Sequence, residues 1–346
     1  MTREITILVD YKGQLYCAHK RTSKTTDLGV TERLFAEHGI RQVVRPFEDL
    51  DLRTEDFRDR WVLYQSSQDP GLHYKSYIED VVLALHLQGA RLIPGFHLLR
   101  AHHNKVFMEL LRDISGDPAL QSVRARHFGT FEAFEKVAGD LDYPVVLKGS
   151  AGDSGRAVRL ARTPKEALAA ARALSWTPAP RSLWRTLVRR AIVPGLTPDS
   201  WRRGKFIVQE FIPGLDGDYK CLVFGDRYFW EVRGARPGDF RASGSSVDRV
   251  WPREQPEGLL DFIEKVFHSF DAPFASIDVM YDGATFHLGE IQFLRFGTKP
   301  LKEAPHHWRR GADGAWEIVD GVRVWEDEFV RALVQLISRP NSRDSQ

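Results

Sequence analysis

Cysteine is almost missing from this 346-residue chain: Cys17 and Cys221 lie far apart, with no metal-ligand spacing around either. That excludes a disulfide framework and a cysteine-built metal site, and leaves two reduced, mostly buried thiols as the expectation. Net charge is nearly absent too, since 49 basic residues against 47 acidic ones leave +2. A balance of this kind offers no argument for nucleic acid or membrane as the partner. No apolar run approaches the ~20 residues of a membrane span. The chain enters a strand pattern at Ile5-Thr6-Ile7-Leu8-Val9 with no basic n-region or cleavage site, so a cytoplasmic location is expected. Also lacking are internal repeats, low-complexity tracts, the dinucleotide fingerprint, a Walker sequence and any Ser/His/Asp or Cys/His nucleophile arrangement. The pairs His102-His103 and His306-His307 are adjacent in sequence, and such neighbours do not face each other on a helix, which argues against a metal role. Nine tryptophans are scattered as core or interface residues usually are.

What is present is ample core material, 42% hydrophobic and 11% aromatic, enough for two or three domains. The first hundred residues alternate strand runs (5–10, 42–46, 61–65, 91–94) with helical patterns at 30–38 and 73–88. That alternation predicts a parallel sheet in an N-terminal α/β unit over 1–101. Ligands of such sheets sit beyond the carboxyl ends of strands, so Gln65, Ser66, Ser67, Tyr74 and Lys75 are candidates to face a substrate, with a solvated loop as the competing reading.

A central lid unit is expected over 102–205, with helices at 106–113, 131–138 and 163–174 and strands at 123–128 and 145–148. Thr163-Pro164 suits an N-cap and first helical position. Within it, an insertion over 176–204 is basic: residues 181–205 carry seven basic side chains against one acidic, interleaved with Leu183, Trp184, Leu187, Val188 and Ile192. It reads as an amphipathic helix packed on the lid with solvated arginines, or as a surface for an acidic substrate or partner. A C-terminal unit follows over 206–338, and 339–346 lack apolar content and are expected to be disordered.

The chemistry begins with Val145-Val146-Leu147-Lys148-Gly149 and a loop punctuated by Gly149, Gly152 and Gly155, with Ser150 and Ser154 between. Glycines at this density let backbone N–H groups approach phosphate oxygens, and Lys148 can send its charge off an apolar strand toward them. Further on, Glu290 and Gln292 are two apart in a strand and share a face. Whether Asp278 joins them depends on the turn. A two-residue Asp282-Gly283 loop pairs Asp278 with His287 and puts it on the other face, whereas a three-residue loop pairs it with Leu288 and leaves Glu290 on the same face. A metal site therefore demands a longer or bulged turn. Three oxygen donors completed by phosphates and water suit Mg²⁺, with Mn²⁺ as an alternative.

In order and spacing, the lysine strand, the glycine loop, Gln209-Glu210-Phe211-Ile212, Asp278 and Glu290-Ile291-Gln292 resemble the ATP-grasp superfamily, in particular its carboxylate–amine ligases of the ribosomal-protein glutamate ligase type, over roughly 104–293. The resemblance implies ATP and Mg²⁺. It also implies that Lys105 and Lys148 hold the α- and β-phosphates, that Glu210 and the backbone at Ile212 face the adenine with Gln209 and Phe211 in the hinge, and that Asp218 lies near the ribose. Arg233 and Arg241, the latter in Gly238-Asp239-Phe240-Arg241, would neutralise the transferred phosphoryl group. Three departures stand out: Lys220 replaces an arginine and loses its planar fork, Ser243 replaces an asparagine, and Gln292 replaces an asparagine in the metal set.

The expected fold is thus α/β plus α+β: a Rossmann-like N-terminal sheet, a small lid and an antiparallel C-terminal sheet. The expected activity is amide formation from a carboxylate and an amine through an acyl phosphate, with a kinase of the same fold and a non-catalytic nucleotide-binding module as rivals. Oligomeric state stays open, a homodimer included.

Overall fold

A computed structural model describes residues 3–15, 25–151, 157–177, 200–234 and 249–339, together with a few positions between 188 and 195. Cys17, most of the basic insertion, Ser243 and the expected disordered tail from 340 onward lie outside the described residues.

The N-terminal unit is a parallel sheet of β1 (Arg3–Val9), β2 (Ile40–Pro46), β3 (Trp61–Leu63) and β4 (Arg91–Ile93) in the order β2-β1-β3-β4. Its crossover helices start where the side chains can cap them. Asp27 Oδ1 accepts from the N–H groups of Gly29 and Val30 at 3.0 and 3.1 Å to open the helix Leu28–Glu37. Asp69 accepts from the N–H groups of Tyr74 and Lys75 at 3.0 and 3.2 Å at the head of His73–Gln88. That second helix stops at Gly89, whose φ of 93° few other residues tolerate.

The lid sheet contains β5 (Ala125–Phe128), β6 (Val145–Gly149), β7 (Val158–Ala161) and β8 (Phe206–Glu210), antiparallel in the order β5-β8-β6-β7. Thr163 caps the helix Pro164–Leu174 by accepting from Glu166 N at 3.2 Å, and the buried Ala167 and Ala171 let that helix approach the sheet closely. The third sheet joins β9 (Gly217–Phe224), β10 (Arg227–Gly234), β11 (Arg249–Val250), β12 (Phe274–Tyr281), β13 (Phe286–Gln292), β14 (His306–Arg310) and β15 (Trp316–Asp320). Its path runs β13-β12-β9-β10-β14-β15, with β11 also on β10.

Two features of this sheet differ from the sequence-based reading. The β14–β15 hairpin has no counterpart there, because two histidines and a run of arginines hide a strand pattern whose register comes from pairing His306 with Asp320 and Arg310 with Trp316. In a strand, His306 and His307 point to opposite faces, and His307 stacks on Phe229 at 5.2 Å. Second, the C-terminal unit is not closed on itself, because its last helix, Trp325–Ile337, also packs on the N-terminal unit. Its Phe329 and Leu333 share one core with Ile7, Phe35, Phe224 and Phe274, and Trp325 Nε1 donates to Thr26 Oγ1 at 3.2 Å.

Phe224 sits at the crossing of these layers, fully buried, with its ring against Phe229, Phe274, Phe296 and Trp325. Truncation there opens a void bordered by rigid aromatics. Phe224→Ala should therefore lower unfolding stability by about 3–5 kcal/mol, measured by urea denaturation. A loss below about 1 kcal/mol would contradict the shared core.

Candidate functional site

The β12–β13 hairpin carries the three candidate metal donors, and its register decides whether they meet. Tyr281 pairs with Phe286, so residues 282–285 form a four-residue connection. Asp282 holds it: Oδ1 accepts from Ala284 N and Thr285 N at 2.9 and 2.7 Å, and Oδ2 meets His287 Nε2 at 2.9 Å. With that connection alone, Asp278 would face Gly289 and Glu290 would point away. A bulge between Asp278 and Val279 absorbs Gly289 and brings Asp278 opposite Glu290 and Ser276 opposite Gln292. A Cβ on residue 289 would sit 3.1 Å from the Asp278 carbonyl oxygen, so the bulge has little room for a side chain. The turn is thus both longer and bulged.

Register extends the arrangement across four strands. Glu231 on β10 faces Lys220 on β9, Lys220 faces Asp278 on β12, and Asp278 faces Glu290 on β13. Two residues along, Arg233 faces Asp218. Side chains of these register-paired positions share one face, and the contacts follow. Lys220 Nζ donates to Ser276 Oγ at 2.5 Å and to Asp278 Oδ1 at 3.1 Å. Arg233 Nε donates to Asp218 Oδ1 at 2.7 Å, and its Nη2 reaches both Asp218 Oδ2 and, at 2.8 Å, Asp278 Oδ2. Burial opposes ionisation of Asp278, but Arg233 and Lys220 outweigh it and hold the carboxyl well below the usual range. Asp218 is pushed up, by burial and by the Asp278 charge. Its carboxyl group is committed to anchoring Arg233.

Across the cavity stands the lid. Lys148 on β6 points out half-buried, and burial together with the Lys105 charge pushes it down to about 8. Lys105 opens the helix Lys105–Ser115 and lies 3.4 Å from Glu290 Oε1. Burial of Glu290 is likewise outweighed, chiefly by Lys105, and its carboxyl is lowered. Asn104, at the head of that helix, explains how these distant segments meet. Its Oδ1 accepts from Phe107 N, Ser150 Oγ and Lys205 Nζ at 3.3, 3.2 and 2.8 Å, while Lys105 N donates to Ser150 O at 3.0 Å.

One cavity of about 880 Å³ lies between lid and sheet. It is lined by Lys105, Lys148, Gly149, Gln209, Glu210, Phe211, Ile212, Asp218, Lys220, Arg233, Asp278, Glu290 and Gln292. Ser150 is buried, bonded to Asn104. Gly152, Ser154, Gly155 and Arg241 lie outside the described residues. Glu210 Oε1 accepts from Arg124 N at 2.8 Å, which turns this carboxylate toward the β5 side of the lid. Sequence reasoning missed the buried Glu109, which accepts from Arg112 Nη1 at 3.0 Å and from Gln209 Nε2 at 2.9 Å, and Arg249, which is paired with Glu231. The i,i+3 spacing of Glu109 and Arg112 was the available signal for the first.

The donor chemistry can be tested against a metal. Among the described residues no group of three or more His, Cys, Asp and Glu side chains forms a protein-only cage. Two carboxylates and an amide oxygen on one face, beside two lysines, instead fit a magnesium ion that takes its remaining ligands from phosphate and water.

No protein-family model and no curated protein matches the chain. Solved structures do. D-cycloserine synthetase DcsG is 14% identical with a TM-score of 0.52, over 96% of this chain and 99% of that one. The ATP-grasp ligase PsnB, complexed with a minimal precursor, is 13% identical with a TM-score of 0.52, over 97% and 100%. The biotin carboxylase domain of Hydrogenobacter thermophilus 2-oxoglutarate carboxylase is 14% identical with a TM-score of 0.50, over 99% of this chain and 71% of that chain. The likeness is one of fold, and the chain has the ATP-grasp fold, with two sheets enclosing one cavity beside a parallel N-terminal sheet.

The lysine pair yields a direct check. In NMR of isotopically labelled lysines, Lys148 should titrate near pH 8, and Glu290→Gln should lower that value further, because the carboxylate is one of the charges holding the proton on. Titration at the ordinary lysine value would contradict the geometry.

Proposed function

We propose that this protein is an ATP-dependent carboxylate–amine ligase that forms an amide through an acyl phosphate. One observation carries the reading: the lid lysines Lys105 and Lys148 face Asp278, Glu290 and Gln292 across a single cavity, with Lys105 bridging to Glu290. The structural neighbours support it, two of them being named as a synthetase and a ligase and a third having been solved with MgADP.

In this reading Lys105 and Lys148 bind phosphate oxygens and the segment 209–212 receives the base. Asp278, Glu290 and Gln292 would hold Mg²⁺, which when bound shields phosphate charge during transfer. The γ-phosphoryl group passes to a substrate carboxylate. Arg233 and Lys220, held in place by Asp218, Asp278 and Ser276, supply cations preorganised for the charge that develops. An amine then attacks the acyl carbon, the C–N bond forms and phosphate leaves with the electron pair of the C–O bond. The lid excludes water that would otherwise hydrolyse the acyl phosphate.

Incubation with Mg-ATP, a pool of carboxylates and hydroxylamine should yield ADP together with a hydroxamate. Asp278→Asn and Glu290→Gln should each lose at least ~100-fold of both. A phosphorylated hydroxyl with no hydroxamate would identify a kinase, and ADP binding without turnover a binding module. A second outcome follows from Lys148, which is charged below about pH 8 and neutral above it. Phosphate favours the charged form, so ADP affinity should weaken as pH rises through 8. Calorimetry of Lys148→Met should show weaker binding at pH 7 and a flattened pH dependence.

A further inference from the structure

The C-terminal sheet ends at β13, and an end strand leaves a row of backbone N–H and C=O groups with no strand to pair with. At Leu288, the residue before the bulged Gly289, both groups are taken from outside the sheet. The N–H donates to Ser122 Oγ at 2.9 Å, and the carbonyl oxygen accepts from Arg112 Nη2 at 3.1 Å. The strand is therefore pinned at the step where its register shifts to bring Glu290 opposite Asp278.

Arg112 is buried and spreads its planar fork over three acceptors: Nε donates to Leu120 O at 2.6 Å, Nη1 to Glu109 Oε1 at 3.0 Å, and Nη2 to the hairpin. Glu109, one turn earlier on the helix Lys105–Ser115, shares that same oxygen with Gln209 Nε2 at 2.9 Å. Burial pushes the Glu109 carboxyl above its ordinary value, against the opposing pull of Arg112 and Lys148. Its charge in turn helps to hold the proton on Lys148. At the head of the helix, Lys105 meets Glu290. Positions 105, 109 and 112 fall on one helix face. That single face therefore reaches a candidate metal donor, the segment proposed to take the base, and the backbone beside the bulge. A buried ion pair adds little stability over apolar side chains of similar volume. What this pair supplies is direction, because a fork with three acceptors fixes angles as well as distances.

We propose that Glu109 and Arg112 are positioning residues that join the metal and nucleotide halves of the site through one shared oxygen. Arg112 sets the bulge that lets Asp278, Glu290 and Gln292 face one cation, and Glu109 sets Gln209 at the start of the base-binding segment. Neither role requires contact with a ligand. The inference rests on the ATP and Mg²⁺ reading of the cavity and names what holds its two halves in register.

The test uses the full chain and two probes: ADP without metal, by calorimetry, and Mn²⁺ with saturating ADP, by electron paramagnetic resonance. Arg112→Lys keeps the charge but loses the fork, so Mn²⁺ should bind about 10–100-fold more weakly, while metal-free ADP stays within about twofold. Glu109→Gln keeps an oxygen for both donors and should leave Mn²⁺ within about twofold. The double variant Glu109→Leu, Arg112→Met removes both buried charges together, so neither is left alone, and it should fold yet weaken both probes. Mn²⁺ binding at the native level in Arg112→Lys and in the double variant would overturn the proposal. Equal losses of ADP and Mn²⁺ in Arg112→Lys would overturn it too, since they would mark a general loosening of the fold. A native chain that binds ADP but no Mn²⁺ would instead overturn the metal reading beneath the proposal, and one that binds no ADP the nucleotide reading.

Discussion

Carboxylates buried on one face of a sheet stay ionised only if cations stand beside them, and the C-terminal sheet of this protein is organised around meeting that condition. Acid and base alternate across β10, β9 and β12, as Glu231, Lys220 and Asp278, before Glu290 on β13 closes the row. Arg233 locks the next row by spanning Asp218 and Asp278. Removing Arg233 would take from Asp218 the cation that anchors it, whereas Asp278 would keep Lys220, so the penalty falls on the buried charge with a single cationic hydrogen-bond partner. The row also fixes where a ligand's charge can go, because the only member with its balancing cation on the lid is Glu290, through Lys105.

Within the sheet the charges are closed on themselves through Lys220 and Arg233. The lid half is held by Asn104, which ties the head of the Lys105–Ser115 helix to Ser150 and Lys205. Lys148 meanwhile remains among competing charges, with burial holding its proton affinity down. Lys105 thus stands between two opposing charges, paired with Glu290 and repelling Lys148.

The fold was legible to the extent that local signals were strong. Thr163-Pro164 marks a helix start by capping chemistry that needs no tertiary context, and the alternation in the first hundred residues announces parallel strands. The hairpin of β14 and β15 was not legible, since its strands carry charged and histidine residues whose place is decided by pairing with β10. Nor was the double role of Trp325–Ile337, whose apolar face says that it is buried but not against which sheet.

By itself the sequence determined the residue types of the candidate site and the condition they must satisfy: Glu290 and Gln292 share a face by strand period alone, and Asp278 joins them only through a longer or bulged turn. Tertiary structure decided how that condition is met, by Asp282 bracing a four-residue connection and Gly289 taking up the extra position. It alone decided that Asp278 lies between Lys220 and Arg233. Periodicity and capping act over a few neighbouring residues, whereas cross-strand register and the meeting of distant loops depend on which surfaces of the whole chain are buried together.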